Sequence, residues 1–446
     1  MSLRLFAVIA ALAAVAPAGA AEEAVTFNKH VAPILFKQCA SCHRPGEVAP
    51  FSLLTYKDAA KRADQLAEVT KKRVMPPWKA EPGHGEFRDE RRLTDAEVGV
   101  VAAWAAAKAP EGDPKDLPPA PKFAAGWPLG EPDLVVKMPN PVDVPADGRD
   151  QIRRVPLPVT WPGDSAIAAV DFRPGNRAVV HHALVLVDNV GLMRDNAAKD
   201  APKQPGGRAG NLAGLLQSKN GVEPFALLGA WVPGSTPKRL PDGFGMKVNK
   251  DSRLVLQMHY HPVGKAATDQ SEVAVYFAKK PDAKPITTLT LAGLPVSIPA
   301  GEKRHRITAG VTLPTDVTVY SIGPHMHQLG KEMKVTATLP DGKTKPLVWI
   351  KEWDWNWQGG YAYKEPVTLP KGTRIDLEAF YDNSADNPTN PNSPPKAVRW
   401  GEQTTDEMCL CFMQVSVATD QDAAALRLAM IMQMIPRKVG LRPNEK

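Results

Sequence analysis

Leu254-Val255-Leu256-Gln257-Met258-His259-Tyr260-His261 is an apolar run of strand length that ends on two imidazoles. Side chains alternate across a strand, so His259 and His261 lie on one face. Comparable runs recur at Val179–Val187, Val317–Ile322, Met333–Leu339 and Ile375–Phe380, broken by Pro, Gly, Asp and Asn. Helix-length amphipathic patterns are scarce until Asp420–Met434, and the 44 prolines favour turns and strands. Residues 132–419 therefore read as antiparallel β-sandwiches with Greek-key or jelly-roll connections. Roughly 290 residues is generous for one sandwich. Two are expected, at 132–282 and 283–446, dividing near Pro281–Pro285, with a terminal helix on the second.

Seven of the ten histidines fall between residues 181 and 327. Six of those seven form three tight sets: His181-His182, His259-Tyr260-His261 and His325-Met326-His327. His325 and His327 share a strand face and reach one ion from a rigid platform. Adjacent His181 and His182 point to opposite faces of a regular strand, so a bulge or strand end must re-aim one if both bind one metal. A single strand histidine is commonly a core or surface residue, but three sets with few histidines elsewhere point to metal. Imidazole suits copper, zinc, nickel or iron, whereas a thioether selects soft Cu(I). Met408, in Asp406-Glu407-Met408-Cys409, is the methionine to add to the last pair; copper is favoured over zinc only if it is a ligand.

The run Cys39-Ala40-Ser41-Cys42-His43 is the covalent haem-attachment pattern C-x-x-C-H. Its thiols bond the porphyrin vinyls and His43 ligates the iron. Met75, the only methionine between the motif and Met138, is the natural sixth ligand, with His30 and His84 as alternatives; Met/His ligation suits electron transfer. Residues 24–112 read as a small all-α c-type cytochrome domain. Its closing helix starts at Thr94 as N-cap and runs through Val98, Val101 and Trp104, a face suited to pack on the porphyrin. Residues 113–131 form a proline-rich linker.

Residues 1–20 carry one arginine, an apolar run and Ala18-Gly19-Ala20, the pattern of a secretory signal peptide. Export agrees with a c-type haem and predicts a periplasmic or secreted protein. No later stretch has the apolar length of a membrane span. The net charge of +7 is small for 446 residues and forms no basic block, so nucleic-acid binding gains no support. It suits at most an anionic membrane face or an acidic redox partner.

Four motifs in order carry a resemblance: Val180-His181-His182-Ala183-Leu184, Gln257-Met258-His259-Tyr260, Pro324-His325-Met326-His327-Gln328-Leu329-Gly330 and Asp406-Glu407-Met408-Cys409. Over roughly residues 132–418 the chain resembles the copper type II, ascorbate-dependent monooxygenases, which include peptidylglycine α-hydroxylating and dopamine β-monooxygenases. The resemblance implies paired β-sandwiches holding two copper ions. An electron-storing copper would take His181, His182 and His259, and an oxygen-activating copper His325, His327 and Met408. It also implies O2, a small organic substrate hydroxylated at a C–H bond, an electron donor (an ascorbate-like reductant or a redox protein), and an open cleft between the metals. His261 is extra and reads as a supporting or solvent-facing residue. The chain departs from the animal enzymes in lacking their disulfides: Cys409 and Cys411 face away from Met408 and read as buried free thiols. No substrate-gripping residues match.

The fused haem would feed the three-histidine copper, replacing or supplementing ascorbate. Two other readings stand beside this one. The first is a periplasmic electron-transfer or copper-handling protein without substrate turnover. The second is a zinc hydrolase using Glu407 to activate water. Trp353, Trp355 and Trp357 read as a core stripe on one strand face, with a pocket-lining role as the other reading. Asp382–Pro388 reads as turn chemistry, Thr419–Asp422 as a capping box, and Met430, Met432 and Met434 as packing.

Overall fold

The computed structural model describes residues 24–123, 126–189, 224–280 and 283–434. The expected signal peptide lies outside the described residues. Among them, no helix is long and apolar enough to cross a membrane.

A small helical unit comes first. A π-helical turn, Phe27–Val31, runs into the helix Ala32–Gln38, which stops at Cys39. Helices Tyr56–Ala60, Ala63–Lys71 and Asp95–Ala106 follow. The last is capped reciprocally: Glu97 N donates to the Thr94 hydroxyl (3.2 Å) and Thr94 N donates to Glu97 Oε2 (2.7 Å). Val101 and Trp104 are buried with Phe27, Val31 and Leu35. Trp104, on the face expected to meet a porphyrin, packs 5.9 Å from the Phe27 ring of the π-helical turn. The proline-rich segment is laid on its neighbours: Phe123 lies under the Arg44 guanidinium (4.0 Å) and Trp127 under Arg173 (3.9 Å).

The first sandwich pairs two sheets. One orders Leu134–Lys137, Glu272–Phe277, Ser165–Arg173, Phe244–Val248 and Lys284–Pro285; the other orders Gln151–Pro156, Leu254–Tyr260, Val180–Asp188 and Phe225–Trp231. Alternate apolar residues of both sheets, among them Val185, Leu256, Met258 and Val273, fill one core. The chain crosses to the second sandwich between Pro285 and Thr287. There one sheet orders Thr287–Ala292, Leu410–Ser416, Val317–His325 and Tyr361–Leu369, and the other orders His305–Thr312, Arg374–Tyr381, Gly330–Thr338 and Thr344–Ile350. The helix Asp420–Met434 closes this sandwich, with Thr419 and Asp422 in a capping box. Met430 packs on the core, whereas Met432 is exposed.

Residues 78–88, within the segment read as haem domain, pack into the second sandwich. Ala80 bridges to Ile350 and Phe87 to Tyr363. Glu81 N donates to Trp349 O (2.8 Å), and Lys364 N donates to Glu86 O (2.9 Å). Trp78, Ala80 and Phe87 are buried in that sandwich's core. Phe87 lies 5.1 Å from both Tyr361 and Tyr363, and Trp78 stands edge-on to Tyr361 at 5.1 Å. Gly85 makes the turn possible: its φ is +96°, and a Cβ there would meet Phe87 and the Leu347 carbonyl oxygen at 2.5–2.6 Å. Truncating so buried an aromatic removes packing that the sheet cannot close over. Phe87→Ala is expected to destabilise the second sandwich by about 3–5 kcal/mol, read by denaturant unfolding.

Candidate metal centre

His182 and His259 face each other across neighbouring strands, Val180–Asp188 and Leu254–Tyr260. The ladder shifts register between Val180 and His182, leaving His181 as the extra residue. This is the bulge that two adjacent histidines need if they are to share one ion. One ring nitrogen from each of His181, His182 and His259 lies within 4.8 Å of the others, an arrangement that can hold a metal ion. His259 Nδ1 approaches His182 Nε2 at 2.8 Å. His181 Nδ1 is buried with no hydrogen-bond partner, a costly state for an imidazole unless an ion takes its lone pair.

A carboxylate that sequence reasoning missed supports this cluster. Asp150 Oδ2 lies 2.7 Å from His259 Nε2 and Oδ1 lies 2.7 Å from His261 Nδ1; the Thr404 hydroxyl also donates to Asp150. Burial alone would raise the Asp150 carboxyl, but the bonds from His259, Thr404 and His261 outweigh it and hold the group well below the usual carboxylate range. Asp150 thereby fixes the His259 ring with Nδ1 turned to the cluster, the arrangement that orients metal-bound imidazoles. His261 is exposed and reaches the cluster only through Asp150. No motif flags Asp150; its one signal is a carboxylate at the mouth of the strand Gln151–Pro156, which pairs with the His259 strand.

His325 ends the strand Val317–His325, paired with Leu410. That ladder ends at Leu410, two residues after Met408, whose carbonyl oxygen accepts from the Tyr381 hydroxyl (2.8 Å). The His325 and His327 rings stand perpendicular with centroids 5.2 Å apart. His327 Nδ1 lies 3.1 Å from the Asp406 carbonyl oxygen, and the Gln403 backbone also bonds this ring. The Glu407 carboxylate accepts from the backbone N–H groups of His327, Leu329 (3.0 Å) and Met408 (2.9 Å). Its oxygens brace the backbone of both motifs, so Glu407 is not the water-activating group a hydrolase needs. Cys409 and Cys411 are buried free thiols in the sandwich core.

Burial pushes His181 and His325 down to about 4 and His327 to about 3, and drives His182 well below its ordinary value. These imidazoles are neutral at neutral pH, the form that binds metal. His325 and His327 lie near enough that charging either would lower His182 further. The cleft implied by resemblance is closed here. Trp355 stacks on His181 at 4.3 Å, Arg154 bonds Glu402 (2.6 Å), and Thr404 meets Asp150. Trp353, Trp355 and Trp357 are not a strand stripe. They sit in a loop turned by Asp354, which accepts from Asn356 N at 3.0 Å. Trp355 walls the site, and Gln358 of the same loop bonds His325.

In the helical unit, Cys39 and Cys42 lie in a turn closed by His43 N donating to Cys39 O (2.9 Å). His43 Nδ1 faces the Phe51 carbonyl oxygen at 3.2 Å. Donation there would leave Nε2 with the lone pair that an iron ligand needs. Met75 is half-buried beside Arg73, Trp78, Arg92 and Leu93. Of the alternative ligands, His30 Nδ1 accepts from Thr26 N (3.1 Å), while His84 Nδ1 faces the Pro82 carbonyl oxygen (3.2 Å) and its ring packs on Trp349 (4.8 Å).

Residues 302–434 match the copper type II ascorbate-dependent monooxygenase family, C-terminal domain. The match runs through the second sandwich from its outer sheet to the terminal helix and includes His325, His327 and Met408. It supports copper over other metals and an oxidoreductase activity for this part of the chain. Among solved structures, PNGF-II is similar at 10% identity, covering 64% of this chain and 65% of that one, with a TM-score of 0.27. The infectious bursal disease virus VP2 subviral particle is similar at 10% identity over 66% and 75%, with a TM-score of 0.19. The chain thus spans just under two thirds of PNGF-II, and likeness at these scores bears on neither fold nor function.

Asp150→Asn keeps the shape and removes the charge that orients His259. It is expected to weaken metal binding at the three-histidine cluster by roughly 10–100-fold. Isothermal titration with copper would read this as loss of affinity in one class of site, with the His325–His327 class unchanged.

Proposed function

We propose that the chain is an exported haem–copper monooxygenase that hydroxylates a C–H bond of a small organic substrate. The observation that carries this reading is the closure of two unlike donor sets on one another. Three imidazoles from the first sandwich face two imidazoles and a methionine-bearing segment of the family-matched second sandwich. His181, His182 and His259 are suited to a copper that cycles by one electron. His325, His327 and Met408, adding a soft thioether, are suited to a Cu(I) site that meets O2. Cys39 and Cys42 would hold one covalent haem c, with His43 and Met75 as its axial ligands. The signal-peptide pattern of residues 1–20 supports a periplasmic or secreted location.

The overall conversion, R–H + O2 + 2 e⁻ + 2 H⁺ → R–OH + H2O, needs two electrons from outside the substrate. Copper supplies the one-electron steps and the activation of O2. The chain's own residues supply the setting. Buried neutral imidazoles keep their lone pairs for metal, Asp150 and Glu407 hold the two ligand sets in register, and Trp355 excludes water above His181. The electrons come through the haem-bearing unit, which replaces or supplements an ascorbate-like reductant or redox protein.

Copper per haem in protein matured outside the cytoplasm tests the reading. Two coppers per haem are expected, with one lost or weakened in Met408→Ala, and O2 uptake coupled to substrate abolished in that variant. One copper or none, indifferent to Met408, would leave an electron-transfer or copper-handling protein instead.

A further inference from the structure

The helical unit rests on the first sandwich at the end of the sheet that carries His181 and His182. There Val232-Pro233-Gly234-Ser235 makes a turn after the strand Phe225–Trp231. Ser235 N donates to Val232 O at 2.9 Å, and Gly234 has φ +79°, the type II pattern of Pro followed by Gly. Cys42 Sγ lies 3.9 Å from the Gly234 carbonyl oxygen. Arg91 reaches both, at 4.0 Å from the sulfur and 3.4 Å from the oxygen. A Cβ on Gly234 would stand 3.1 Å from Cys42 Sγ, so a side chain there would push the sulfur back by a few tenths of an ångström. Two ion pairs flank the contact, Glu47–Arg177 (3.0 Å) and Asp89–Lys238 (3.7 Å). Both set acid on the helical unit against base on the sandwich, a complementarity that fixes docking register. Both contacts adjoin the metal-site strand. Arg177 lies four residues before His181, and Gly234 three residues after Trp231, whose ladder partner Ala183 follows His182.

We propose that the Val232–Ser235 turn is the electron-entry port of the three-histidine site, with Gly234 and Arg91 as its positioning residues. This rests on the haem–copper reading above. One electron leaves the haem iron, ferrous becoming ferric, and reaches the metal of His181, His182 and His259, cupric becoming cuprous. No bond forms or breaks and no proton moves. The path runs from Cys42 Sγ to the Gly234 peptide, back along the chain to Trp231, across the ladder to Ala183 and into His182. A rival path leaves the other side of the unit through Trp78 and Tyr361, whose ladder partner Ile322 lies on the His325 strand.

The test uses full-length protein loaded with haem and copper, without O2. One electron equivalent is delivered to the haem, and its reoxidation is followed by absorbance while the cupric signal is followed by electron paramagnetic resonance. Gly234→Val is expected to slow this internal transfer about tenfold or more, with haem and copper content and haem potential unchanged. Arg91→Glu is expected to slow it less and in a salt-dependent way, and Trp78→Phe to run at the wild-type rate. In metal-free protein, both port variants should raise amide exchange at residues 232–235 relative to wild type. Wild-type rates in both port variants, or slowing confined to Trp78→Phe, would overturn the port and leave the relay standing. No internal transfer in fully loaded wild type would instead overturn the relay reading itself, and the port with it.

Discussion

The Asp150 carboxylate is the constraint on which the site depends. It is nearly buried, and an ionised carboxylate loses hydration there that only hydrogen bonds can offset. The donors come from two sandwiches: His259 and His261 from the end of one strand, and Thr404 from the loop before Glu407 in the other. Two of these donors lie in Asp150's own sandwich, and the His259 bond there turns His259 Nδ1 toward His182; the third, Thr404, comes from the other sandwich. One carboxylate thus ties the orientation of the first metal cluster to the contact between the sandwiches. The Arg154–Glu402 pair beside it is partly exposed and adds little by comparison.

Glu407 plays the matching part on the other side by different means. Burial raises its carboxyl to about 8, while backbone N–H groups of His327, Met408, Leu329 and Gly330 pull the other way. A side chain that accepts several peptide donors at once stands in for a missing strand neighbour just where the His325 strand ends. The sequence neighbour of the methionine is thus a scaffold for the His327 loop. Cys409 and Cys411, alternating with it, fill the core behind.

Much of this was legible from local pattern. Apolar runs of strand length located the strands, and the Leu254–Tyr260 strand has the bounds its run implied, though it is buried on both faces except at Gln257. If His181 and His182 share one ion, their adjacency calls for a bulge or a strand end, and the ladder shifts register between Val180 and His182. What escaped are interactions with no period. Asp150 meets partners 109 and 254 residues away, and a lone carboxylate before a strand has no signature. Residues 78–88 read as part of a helical unit because their strand-like pairing needs partners around residues 349–364. The alternating tryptophans suggested a strand, but Asp354 and Asn356 between them form a side-chain turn that breaks it, which swings Trp355 over His181.

The helical unit touches both sandwiches, and its two attachments differ in strength. Toward the second sandwich it offers a buried strap, with Trp78 and Phe87 inside an aromatic core and backbone hydrogen bonds on both edges. Toward the first it offers the Cys42–Gly234 contact and exposed or half-exposed ion pairs, each worth no more than about 1 kcal/mol in water. If the sandwiches part, the weaker joint yields first, and the helical unit travels with the second sandwich. The first sandwich would then lose the Gly234 contact and the Thr404–Asp150 bond together. Parting the sandwiches at the metal site would therefore also part Cys42 from Gly234.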